Sequence, residues 1–136
     1  MKEKVDKLKE NSILGLEVMA NLGVTPGISG TIITKDKKVY SYSLHSIMTS
    51  FMEKNNIPLE NIYLIKELTS DEYNKILKYI EEIVYKKYKC IPHRDSSSSV
   101  FGSSKSKMFY YPNCYDINTN ESLYDKTLKL IEEVKK

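Results

Sequence analysis

Residues 69–89 constrain the fold more than any other part of the chain. Thr69-Ser-Asp-Glu72 reads as a capping box, in which the threonine hydroxyl accepts a backbone N–H and the glutamate reaches back to the cap. Tyr73, Ile76, Leu77, Ile80, Ile83, Val84 and Tyr88 follow at helical spacing. Lys86, Lys87 and Lys89 fall in what would be the last turn, where cations suit the helix dipole. Such a helix has one apolar face and must bury it against a sheet or another helix.

The rest of the chain supplies the sheet. Leu14, Leu16, Val18, Ala20 and Leu22 alternate with other residues, the period of a half-buried strand, although leucine, methionine and alanine favour helix. Gly23-Val-Thr-Pro-Gly27 predicts a turn. Residues 28–34 and 39–44 are rich in β-branched and aromatic side chains, and Lys35-Asp-Lys-Lys38 joins them as a hairpin. Tyr40, Tyr42 and Leu44 share one face of the second strand. Residues 62–65 and 108–111 predict further strands, the latter stopped by Pro112-Asn113.

Three more helical segments complete the reading. Residues 1–10 form a short helix or a frayed arm, anchored by Val5 and Leu8. Residues 45–56 carry Ile47, Met48, Phe51 and Met52 at helical spacing, ended by Pro58. The last helix is capped within residues 118–121 and buries Leu123, Thr127, Leu130, Ile131 and Val134. Strands and helices mix without regular βαβ crossovers. The expected fold is α+β, an antiparallel sheet of four to five strands with helices packed mainly on one face. At 136 residues the whole chain, 1–136, makes one domain.

Composition excludes several function classes. A net charge of +3 argues against a nucleic-acid groove, whose footprint is a strongly basic face. No apolar run approaches the roughly 18 residues of a membrane span. The first ten residues lack the apolar stretch of a secretory signal, so the expected location is the cytoplasm. There, Cys90 and Cys114 are expected as free thiols.

Residues 90–107 interrupt this pattern with the only arginine (Arg94), His93, a run of serines and Lys105 and Lys107. A polar loop is expected over 95–107, with a hairpin strand placing Val100 and Phe101 inward as the alternative. Cys90, His93, Cys114 and His45 are too scattered for a zinc site, which wants close-spaced ligand pairs. Cys90 with His93 is a poor nucleophile–base pair on a proline-containing loop. His93-Arg94-Asp95 matches a kinase catalytic triplet only by chance, because no asparagine follows at the required offset. The paired acids Glu81-Glu82 and Glu132-Glu133 read as solvated helix faces. No catalytic residue, metal or cofactor is assigned.

Two functions follow. The first is a small protein-binding module of bacterial or phage type, an immunity, inhibitor or accessory factor acting sterically. Its interface would be Arg94, Asp95, Phe101, Tyr110, Tyr111 and Tyr115, since arginine and tyrosine are enriched among binding anchors. The partner would be another protein, and an open sheet edge makes a second copy of the chain a candidate too. The alternative is a phosphate- or nucleotide-binding protein or enzyme. It would grip its ligand with His93, Ser98, Ser99, Ser103, Ser104, Lys105 and Lys107. The segment lacks the second glycine of a Walker A loop.

Overall fold

A computed structural model describes residues 3–91, 98–104 and 107–136. Helix α1 (Glu3–Glu10) leads directly into β1 (Ser12–Asn21). Strands β2 (Pro26–Thr34) and β3 (Lys38–His45) form the hairpin expected from their β-branched and aromatic content. A short α2 (Ser50–Lys54) precedes β4 (Glu60–Glu67), and α3 (Ser70–Val84) follows it. Then come β5 (Tyr88–Cys90), β6 (Ser98–Ser103), β7 (Met108–Pro112), β8 (Cys114–Asp116) and α4 (Leu123–Lys135).

The fold is α+β, and its main sheet is antiparallel with six strands in the order β4-β3-β2-β1-β6-β7. That exceeds the four to five strands expected. The added central strand is β6, built from the serine-rich run that reads as a loop. Serine does not break a ladder when both neighbouring strands satisfy its backbone, and here β1 and β7 do so. Val100 and Phe101 point to opposite faces and anchor it in two cores. A second sheet pairs β5 with β8.

The two long helices, α3 and α4, share one face, in rough agreement with the expectation, and α1 adds a helix on the other. One face carries Leu14, Leu16, Ile33, Val39 and Val100 beneath α3 and α4, which contribute Ile76, Ile80, Ile83, Leu123 and Ile131. The Tyr79 hydroxyl lies 2.7 Å from Thr127 Oγ1 and ties α3 to α4. Burial pushes that phenol up to about 12. The opposite face is covered by α1, whose Val5 and Leu8 pack with Ile28, Ile32, Tyr42, Ile62 and Phe101. The N-terminal arm is therefore a packed helix.

Boundaries shift for local reasons. His45 belongs to β3, and Thr49 caps α2, so the expected 45–56 helix shrinks to one turn and a half. The capping box forms as expected at Thr69 and Glu72. Helix α3 stops at Val84, though, and Lys86, Lys87 and Lys89 lie beyond it. Ser122, not a residue of 118–121, caps α4.

Two glycines on the α1 face make room for aromatic rings from adjacent strands. Gly15 faces Phe101 across β1–β6, and Gly30 faces Tyr42 across β2–β3. A Cβ at Gly15 would clash with the Cε2–Cζ edge of the Phe101 ring. Gly15→Ala should therefore cost about 1–3 kcal/mol through overpacking. Urea unfolding of Gly15→Ala and of Gly15→Ala/Phe101→Leu checks this. The smaller second side chain should return part of the loss, and purely additive losses would refute the packing argument.

Glu72 gives a pH dependence. The hydrogen bond from Lys66, whose Nζ lies 2.5 Å away, holds its carboxyl below the ordinary value, and the Thr69 backbone N–H adds to this. A depressed folded pKa means the stabilisation is present above the unfolded pKa and is lost as pH falls through the folded one. The difference in melting temperature between wild type and Glu72→Gln should shrink steadily on acidification. A difference independent of pH would exclude an ionised Glu72 from the cap.

Candidate functional site

The β6–β7 hairpin carries most of the residues singled out by sequence, and it disperses them. Phe101 is half-buried under α1, with Lys9 Nζ 5.5 Å from its ring centre. Tyr110 lies opposite it on β7 and keeps 65% of its surface exposed. Tyr111 points to the other face, where it packs on Phe109 at 5.7 Å and on Tyr88 at 5.1 Å between ring centres. Burial raises its phenol pKa. Tyr115 sits in the small sheet and bridges to Ser122. Of the expected interface, Tyr110 alone is an exposed anchor among the described residues. Arg94 and Asp95 lie outside them, as do His93 and Lys105.

The proposed phosphate-binding set splits in the same way. Ser98 and Ser99 lie at one end of β6, with the Ser98 N–H donating to Asn113 Oδ1 at 2.8 Å. Ser103, Ser104 and Lys107 lie at the other end, where the backbones of Ser104 and Lys107 close the hairpin. There they meet two lysines that sequence reasoning passed over. Lys35 comes from the β2–β3 turn and Lys78 from α3. Together these five residues line a groove of about 640 Å³ between α3 and the hairpin tip. Nothing in the sequence flags Lys78 or Lys35 among so many lysines; only the approach of α3 to the hairpin assembles them.

A second missed cluster lies under α1. The Tyr42 hydroxyl donates to Glu17 Oε1 at 2.6 Å, and Lys9 Nζ pairs with the same oxygen at 2.7 Å. Burial, then the Glu17 charge, pushes the Tyr42 phenol far above its ordinary value, so it remains a donor. The triad closes a polar contact across the α1 interface and is structural. Tyr88 is the opposite case, a buried hydroxyl without a partner among the described residues.

The candidate zinc ligands are separated or used. His45 is buried, its Nδ1 2.7 Å from Thr25 Oγ1. Cys90 and Cys114 are bonded to each other, which corrects the expectation of free thiols. They face each other across β5–β8 with Cα atoms 3.9 Å apart. The Ile91 N–H bonds the Asn113 carbonyl next to them. The cysteines therefore occupy a non-hydrogen-bonded pair, where side chains approach most closely. Among the described residues no group of three or more histidine, cysteine, aspartate or glutamate side chains could hold a metal ion. Nor is any described helix long and apolar enough to cross a membrane.

No protein-family model, curated protein or solved structure matches this chain.

The disulfide closes a loop holding the whole β6–β7 hairpin. Its removal in Cys90→Ser/Cys114→Ser should cost roughly 3 kcal/mol, chiefly by loosening the unfolded chain. Urea unfolding of both forms, with thiol titration of the denatured wild type, tests this. Two titratable thiols in the non-reduced protein would show that the bond does not form.

Proposed function

We propose that this chain is a small protein-binding module, an immunity, inhibitor or accessory factor of bacterial or phage type that acts by covering its partner. The observation that carries the reading is the open edge of the sheet at β4. Tyr63, Leu64 and Ile65 there keep 59, 52 and 42% of their surface exposed. Ile47, Met48 and Phe51, just before and within α2, add further exposed apolar surface in the segment joining β3 to β4. Concentrated exposed apolar surface marks interaction sites on soluble domains.

The backbone of β4 supports the same reading. The His45 N–H donates to the Leu59 carbonyl at 3.0 Å. Alternation along an antiparallel ladder then turns Asn61 and Tyr63 toward β3 and leaves the N–H and C=O of Ile62 and Leu64 pointing outward. An extended segment of another protein can add there as a further strand, its apolar side chains meeting Tyr63 and Leu64. A second copy of the chain would use the same groups. On this reading the interface is β4, away from the 93–111 region that sequence alone suggests.

A cytoplasmic setting would require the Cys90–Cys114 bond to survive reductants. Cys114 is buried, but Cys90 is exposed. Such bonds persist most readily in oxidising compartments.

Leu64→Pro isolates the edge. Proline there removes an outward N–H that β3 does not use, a position edge strands tolerate. In pull-downs from lysate of the source organism, Leu64→Pro should lose a protein that wild type retains, with a melting temperature close to wild type. Retention by Leu64→Pro but loss by Arg94→Ala or Tyr110→Ala would move the interface back to the hairpin. Concentration-dependent dimerisation of wild type, abolished by Leu64→Pro, would identify a second copy as the occupant.

A further inference from the structure

We propose that the groove between α3 and the tip of the β6–β7 hairpin binds a freely diffusing amphiphilic anion, a single phosphate or carboxylate head on an apolar body. It lies apart from the β4 edge and does not depend on the protein-binding reading. Its volume, about 640 Å³, falls in the range of small-molecule sites.

The charge in the groove is lopsided. Lys35, Lys78 and Lys107 reach it from three separate elements. Among the described residues none of them forms an ion pair, a state they share with several other lysines of the chain. One carboxylate, Glu81, also lines the groove. Three exposed cations against one anion leave an excess of positive charge along the groove, which attracts a counter-anion.

The serines are not the grip that their abundance suggests. The Ser103 hydroxyl donates to the Ser12 carbonyl at 3.2 Å, and the Ser104 hydroxyl donates to the Lys107 carbonyl at 3.2 Å. Each has one proton, and it is already committed. An anion would therefore be held by ammonium groups, which bind as point charges and accept phosphate or carboxylate alike.

The remaining wall decides the ligand class. Ile13 and Ile80 form a buried floor, while Leu77 and Met108 are exposed at the groove. A bare inorganic ion would leave these side chains wet. An alkyl or aryl body attached to the anionic head would cover them and gain affinity from the apolar area removed from water. The adjoining groove under α1 shares Lys35, Ser103 and Met108, but there Lys9 is already committed to Glu17.

Isothermal titration with decyl phosphate below its micelle-forming concentration tests the proposal on the full chain. Saturable binding is expected, with weaker binding of inorganic phosphate and of the neutral decyl maltoside. Lys78→Glu/Lys107→Glu should weaken decyl phosphate by at least about tenfold, equivalent to about 1.4 kcal/mol. Leu77→Asn, a surface change, should weaken decyl phosphate while leaving inorganic phosphate unchanged. Circular dichroism confirms that the variants are folded. The proposal is overturned by absence of binding, by equal affinity for inorganic phosphate, by equal affinity for decyl maltoside, or by unchanged binding in the charge-reversed variant. It is also overturned if the protein co-sediments with phosphatidic acid vesicles yet does not bind monomeric decyl phosphate.

Discussion

The pairing of β1 with β6 holds the molecule together. It joins Leu14 to Gly102 and Val18 to Ser98, across most of the chain's length. Without it the β1–β4 meander would end on β1, and the β6–β7 hairpin would have no sheet to extend. The α3–α4 layer rests on both sides of this seam, through Leu14 and Leu16 on β1 and Val100 on β6. Long-range pairing of this kind forms only after a costly loop has closed. The Cys90–Cys114 bond closes the segment that carries the hairpin but leaves the length of that loop unchanged.

The second face depends on the same seam. Phe101 reaches α1 because β6 lies beside β1, and Gly15 leaves room for its ring against the neighbouring strand. Lys9 then lies over that ring while it pairs with Glu17, which also accepts from Tyr42. A glycine, two aromatic rings and one half-buried carboxylate thus fix where a short helix docks. The hairpin that completes the core also delivers Ser103, Ser104 and Lys107 to the edge of α3. The groove is a by-product of the pairing that builds the core.

Elements with a strong period were legible. The capping box at Thr69, the buried stripe of α3, the alternation in β1 and the hairpin of β2 and β3 all follow from side-chain spacing. The serine run of β6 was not. Its side chains carry almost no periodic signal, and only Val100 and Phe101 mark it as a strand. The ends of helices misled for a related reason: Tyr88 continues the helical spacing of α3 but belongs to β5, where Cys90 pairs with Cys114. The site was less legible still. Tyr111 has the composition of an interface anchor, yet it packs against Tyr88 and Phe109.

The fold class, the main helices and the strands of the meander rest on local period, capping and turn chemistry, and are readable from side-chain spacing alone. Tertiary structure decided the sheet order, the face that α1 covers, the cysteine pairing, and which lysines share a groove. Those depend on contacts between residues far apart in the chain, to which local spacing is blind. Lys35, Lys78 and Lys107 are three surface lysines among many until α3 and the hairpin tip bring them to one groove.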